Sequence, residues 1–178
     1  VENAWLGHCL WQALDAEVIQ WRCPAQVERM EPTAEGYRLT LDDETLIDCS
    51  LAILADGGRS SLREQLGIAV NQRPYDQTAL IANITPERAH GGEAFERFTE
   101  SGPLALLPLS DNRCALVWTP PSREVERLLK LDERAFLTEL QQAFGYRLGA
   151  LKQVGARVPY PLVLIEAAEQ VRANLVVL

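Results

Sequence analysis

Two histidines, one methionine and four scattered cysteines are all that the 178 residues hold of the side chains most used in metal binding and redox chemistry. Cys9, Cys23, Cys49 and Cys114 never form Cys-x-x-Cys. That spacing argues against a structural zinc site or a redox dithiol, and for reduced core thiols in a cytoplasmic protein. His8 and His90 have no nucleophile motif beside them, so neither a hydrolytic triad nor a metal site is expected. No apolar run approaches the ~20 residues of a membrane span, and no signal peptide is visible. Positive charge is also short: 17 Lys and Arg against 25 Asp and Glu leave a net charge of −8. With no basic stripe either, nucleic acid is not an expected partner.

What is present is a folded protein's composition, 47% hydrophobic and 24% charged, which suffices for one sizeable domain or two small ones. The chain opens on Val1, has its one methionine at Met30, and closes on the apolar Asn174-Leu-Val-Val-Leu178. The expectation is an excised portion of a larger protein.

Taken in order, Trp5 to Glu17 is expected to be an amphipathic helix, with Asn3 as its cap and Leu6, Leu10, Ala13 and Leu14 on one face. Val18 to Cys23 has strand composition and Pro24 ends it. Three further runs predict a β-meander, Gln26 to Glu31, Tyr37 to Leu41 and Thr45 to Asp48. Beyond Gly67, the polar Gln72-Arg-Pro-Tyr-Asp-Gln77 marks a crossing between subdomains. Thr78 to Thr85, Ala94 to Thr99, Leu104 to Leu109 and Cys114 to Thr119 then predict an antiparallel sheet. Ser122 and Asp132 cap two helices that cover it, the second stopped by Gly145. Ala156 to Leu164, carrying Pro159 and Pro161, is an edge or sharply bent strand. Arg172 to Leu178 returns to the first unit. The expected fold class is α/β (α+β), with a first unit over residues 1–72, a sheet domain over 73–164 and a return over 165–178.

One stretch carries a chemical signal, Leu51-Ala-Ile-Leu-Ala-Asp-Gly-Gly-Arg-Ser-Ser-Leu-Arg63. It predicts a short buried strand, a turn at Asp56-Gly57-Gly58, and a helix opened by the capping box Ser61-x-x-Glu64. In an open α/β sheet, a turn at the carboxyl end of a strand is where ligands bind, and glycines admit a close approach. An ordinary strand-to-helix connection gives the same local pattern.

Ala55-Asp-Gly-Gly-Arg-Ser-Ser-Leu-Arg63 resembles the A-D-G-x-x-S-x-x-R fingerprint of the flavin-dependent aromatic hydroxylases, the p-hydroxybenzoate hydroxylase-like family. Pro74 to Asn83, Ala94 to Thr99, Gly102 to Ser110, Ala115 to Trp118, Phe136 to Gly149 and Tyr160-Pro-Leu162 are similar to the members that act in ubiquinone biosynthesis, the 2-polyprenyl-6-methoxyphenol hydroxylases above all. The resemblance implies a Rossmann-like FAD/NAD(P)-binding domain, represented here in part, and an antiparallel-sheet substrate domain. The family's Gly-x-Gly-x-x-Gly and its later Gly-Asp motif do not occur in this sequence.

The implied cofactors are FAD and NAD(P)H, and the implied activity is monooxygenation of a polyprenyl phenol ring with O2. Implied cofactor residues are Asp56, Gly57, Gly58, Ser60 and Arg63, with Ser60 able to bond a phosphate or cap the helix. Substrate-lining candidates are Phe95, Phe98, Leu106, Pro108 and Trp118, although the default reading of each is core. No catalytic triad is implied, because the flavin carries the chemistry. Peripheral membrane association, or a place in a ubiquinone-biosynthesis complex, would bring such an enzyme to its substrate. Other readings of the same pattern are a prenyl reductase or halogenase of this fold, and a non-catalytic interaction domain.

Overall fold

The computed structural model describes residues 2–15 and 17–178. Its first half comprises α1 (Asn3–Gln12), β1 (Val27–Pro32), β2 (Tyr37–Leu41), β3 (Leu46–Cys49), β4 (Ala52–Leu54), α2 (Ser61–Gln65) and β5 (Val70–Pro86). The second half comprises β6 (Phe95–Thr99), β7 (Gly102–Pro108), β8 (Cys114–Trp118), α3 (Ser122–Lys130), α4 (Glu133–Phe144), β9 (Leu151–Val154), β10 (Val158–Ala167), β11 (Val171–Arg172) and β12 (Leu175–Val177). The architecture is mixed α/β with antiparallel sheets, as expected. The chain divides into two compact units, one of Leu14–Arg73 with Val163–Leu178, the other of α1 with Pro74–Leu162.

In the unit built on Leu14–Arg73, β1, β2 and β3 form an antiparallel meander. A second sheet has the order β11-β12-β4, in which β12 pairs with β4 in parallel, Leu175 opposite Ala52 and Val177 opposite Leu54. Met30, Tyr37, Leu54, Leu62, Ile68, Leu175 and Val177 share one core. The parallel pair fixes where β4 ends and so where the Asp-Gly turn begins.

Three local expectations change here. The first helix ends at Gln12, and Asn3 is its first residue rather than its cap. None of its residues is buried, so the apolar spacing brings too little packing to extend the helix to Glu17; Ala16 lies outside the described residues. Val18 to Cys23 is not a strand, because β composition without a ladder partner does not make one. The polar Gln72–Gln77 is no loop: β5 continues through it with a left-handed residue at Asp76 (φ 53°), and the boundary between units falls at Arg73 and Pro74 within the strand.

The other unit is a sheet of order β10-β5-β8-β7-β6, with β9 also on β5. β10, with its two prolines, lies at one end of the order, where a missing N–H costs no ladder bond. The register puts Leu80, Trp118 and Leu104 in one row, and Ala82, Leu116 and Leu106 in the next. These rows share the face that packs on α3 and α4, in a core with Leu128, Phe136, Leu140 and Phe144. The alternate residues Ile81, Val117, Ala105 and Glu96 form a row on the opposite face, away from those helices.

Asp132 caps α4 through its side chain, which accepts from Ala135 N, and Gly145 (φ 90°) stops it. α3 begins at Ser122 itself, with Pro121 in the cap position. The Ser122 hydroxyl donates instead to Asp76 O. Gln141 ties α4 to the segment leading into β9: its amide donates to Gly145 O and Gly149 O, and its carbonyl accepts from Leu151 N. Glu133 accepts from Val154 N at the other end of β9.

Of the cysteines, only Cys114 lies in the core, where burial pushes its thiol pKa up. Cys9 and Cys23 are exposed, which corrects the expectation of core thiols throughout, since neither α1 nor the segment after it packs inward. Among the described residues no cluster of His, Cys, Asp or Glu could hold a metal ion, and no helix is long and apolar enough to cross a membrane.

Candidate functional site

The Asp-Gly turn leaves the carboxyl end of β4. Asp56 and Gly57 are exposed, and Gly57 takes φ 90°, which an L side chain rarely adopts. Among the described residues nothing lies within 4 Å of where a Cβ on Gly57 would project, so a ligand has open access there. Gly58 is glycine for the opposite reason. A Cβ on it would meet Ile165 Cδ1 at 3.1 Å, so the turn is pressed against β10. Sequence alone gives no sign of that neighbour, more than a hundred positions away.

The helix behind the turn starts one residue earlier than the capping-box pattern suggests. Ser60 is the cap, and its Oγ accepts from Arg63 N at 3.0 Å. Ser61 therefore belongs to the helix, and the Ser61–Glu64 box is not formed. The shift follows from Ser60 being buried (3% exposed) with its hydroxyl facing the first turn.

Arg63 is only 4% exposed. Its Nη1 donates to Gly58 O at 2.7 Å, its Nη2 is 3.7 Å from Glu64, and its Nε has no hydrogen-bond partner among the described residues. A buried cation whose one paired carboxylate, Glu64, is itself largely exposed is costly, because its lost hydration is only partly replaced. Its place is beneath the turn. The residues present fit a phosphate-bearing dinucleotide: an open glycine surface, an exposed Asp56 carboxylate as acceptor, and a buried positive charge under the backbone that would face the ligand.

The five sheet candidates separate by face and depth. Leu106 is fully buried and Trp118 packs at 6.1 Å on the Phe136 ring, so both fill the sheet–helix core rather than line an opening. Phe95 meets Phe144 edge-on, lies beneath Arg147, and borders a concavity with Glu93, Arg97 and Phe144. Pro108 borders another with Trp5 and Arg113. Phe98, 84% exposed, is the one candidate on the face away from α3 and α4. Which face a strand residue takes depends on pairing register, and that could not be read before the partners were known.

A flavin-enzyme architecture is what this fold resembles. The chain superposes on CmlS, a flavin-dependent halogenase, with a TM-score of 0.76 at 12% identity over 99% of this chain and 34% of that one. No family model matches the sequence. It is 39% identical over 152 residues to ubiquinone hydroxylase UbiL of Rhodospirillum rubrum, covering 85% of this chain and 35% of that protein. It is 31% identical over 176 residues to 3-demethoxyubiquinol 3-hydroxylase of Escherichia coli (strain K12), covering 98% of this chain and 45% of that protein. The chain belongs to the family of the ubiquinone-biosynthesis hydroxylases. It spans less than half the length of the two relatives.

Proposed function

We propose that the chain is part of an FAD-dependent monooxygenase that hydroxylates a polyprenyl phenol ring in ubiquinone biosynthesis. The reaction balances as one oxygen atom of O2 inserted into a ring C–H, the other released as water, and two electrons taken from NAD(P)H. The observation that carries this reading is the 31% match that runs across 98% of the chain, and so through the Asp-Gly turn, to an enzyme named for ring hydroxylation in the same pathway.

FAD, when bound, supplies the oxygen-activating chemistry. Within this chain Gly57 and Gly58 give the dinucleotide close backbone approach, and Asp56 accepts from its hydroxyl groups. The sheet serves the substrate through the face away from α3 and α4, where Phe98, Val117 and Ile81 offer apolar surface to a prenyl chain. The working enzyme is cytoplasmic and reaches its membrane-borne substrate by peripheral docking or through a biosynthetic complex.

The test is ubiquinone-intermediate profiling in a strain that lacks the full gene. A polyprenyl phenol one hydroxyl short should accumulate and disappear when the gene is restored. An unchanged quinone profile would overturn the assignment.

A further inference from the structure

On the sheet face away from α3 and α4, one side chain does not suit its place. Asn83 lies in the part of β5 that pairs with β8 on one side and β9 on the other. Leu80, Ala82 and Ile84 turn into the core, so alternation puts Asn83 on the opposite face, where it is exposed. Asparagine is depleted inside strands, because its amide competes for backbone groups and packs poorly on a pleated surface. No contact within the chain offsets that. The Asn83 main-chain carbonyl accepts from Gly155 N at 2.8 Å, but the side-chain amide has no hydrogen-bond partner among the described residues.

Its neighbours leave the amide open. Across the ladder it meets Ala115 on one side and, just past β9, Gly155 on the other. Neither can cover it or bond to it. Ala115 stands opposite Leu107, so the row reads Asn83, Ala115, Leu107, a small residue between two larger ones. Directly opposite residues are about 5 Å apart. A flat ring laid over Ala115 would therefore have the Asn83 amide at one edge and Leu107 at the other. Glu96, also polar and on this face, has an ordinary explanation: β6 is an outer strand, where a charge guards an open edge.

We propose that Asn83 is a specificity residue that reads the hydroxyl of the substrate ring. Its Oδ1 accepts the phenolic O–H, with the ring seated over Ala115 and against Leu107. An aliphatic residue at this position would give the ring the same apolar seat and no means of telling which edge carries the oxygen. A hydroxyl that leaves water for an apolar face needs a partner, and a site that supplies one rejects rings that lack it.

The inference rests on the phenol hydroxylase reading above, and the experiment separates the two. In the full-length protein with FAD bound, dissociation constants are measured by quenching of tryptophan fluorescence for 2-geranylphenol and for geranylbenzene, which lacks only the hydroxyl. Wild type should bind the phenol about tenfold tighter, one hydrogen bond's worth. Asn83→Leu should weaken the phenol about tenfold and leave geranylbenzene as it was, with FAD content and melting temperature unchanged, since the position is exposed. Ala115→Leu, which fills the seat and keeps the amide, should weaken both ligands. An Asn83→Leu protein that still prefers the phenol overturns the proposal, as does one that loses both ligands equally, or a wild type with no preference. Preference lost in Asn83→Leu while wild type fails to hydroxylate the phenol would uphold Asn83 and sink the hydroxylase reading instead.

Discussion

The two units bury their cores in different ways. On the β5–β8–β7 sheet, two helices lie along one face, and Leu80, Ile84, Leu104, Leu106, Leu116, Leu128, Phe136 and Leu140 are essentially inaccessible. In the β11-β12-β4 sheet Leu175 is equally deep, but Leu51, Ile53 and Val171 nearby are each more than half exposed. One unit is organised around a closed hydrophobic layer. The other is organised around a turn, and its buried groups include Ser60 and Arg63, which serve that turn rather than the core. Packing holds the first in shape; specific hydrogen bonds shape the second where it matters.

Substitutions that test this contrast differ in size. Phe136→Ala should cost most, about 3–5 kcal/mol, because a fully buried ring leaves a cavity that close-packed neighbours cannot fill. Leu175→Ala should cost about 2–3 kcal/mol, the lower part of the range for buried leucines, since its sheet is free to relax on its exposed side. Amide exchange resolved unit by unit should show each loss confined to its own unit. Equal losses, or losses shared across the chain, would break the contrast.

Cap removal is the next step down. Asp132→Ala and Ser60→Ala should each cost about 1 kcal/mol in chemical denaturation. The two should part in local protection: Asp132→Ala frays the start of α4, whereas Ser60→Ala loosens the turn from Asp56 to Arg63. Equal protection of that turn in wild type and Ser60→Ala would show that the cap does not shape it.

The smallest effect is electrostatic. Arg127 bonds Glu139 through two N–H groups and also meets Glu124, and the hydrogen bond from Arg127 holds the Glu139 carboxyl below its ordinary range. A carboxyl whose folded pKa is depressed contributes stability above its unfolded pKa and loses it as pH falls through the folded one. The α3–α4 link should therefore weaken as the medium is acidified below the usual glutamate range. Glu139→Gln should flatten that part of the stability–pH curve while changing little at neutral pH, because the pair is half exposed. A curve of unchanged slope would remove the pair from the account.

Legibility in the sequence followed the same division. Features set by chemistry within a few residues were readable: the Asp132 cap, the Gly145 stop, the edge position of the proline-bearing β10 and the Asp-Gly turn itself. Features set by distant partners were not. Val18 to Cys23 has strand composition but pairs with no strand among the described residues, and Gln72–Gln77 has loop composition but lies inside β5, where Asp76 alone takes a positive φ of 53°. At the candidate site the residue types were visible, while the inward direction of Arg63 and the pressure of Ile165 on Gly58 come from the tertiary fold. Leu106 and Trp118 could not be assigned to a face until register fixed their row with Leu80 and Ala82.

One contact made by α4 reaches beyond the fold of a single molecule. Among the described residues β9 has one strand beside it, β5, and its remaining side would offer amides to any extended chain that drifted near. The Leu151 and Val154 N–H groups are instead taken by Gln141 and Glu133. A strand whose donors are already engaged is a poor template for a second molecule, so these two side chains also guard the protein, at high concentration, against sticking to itself.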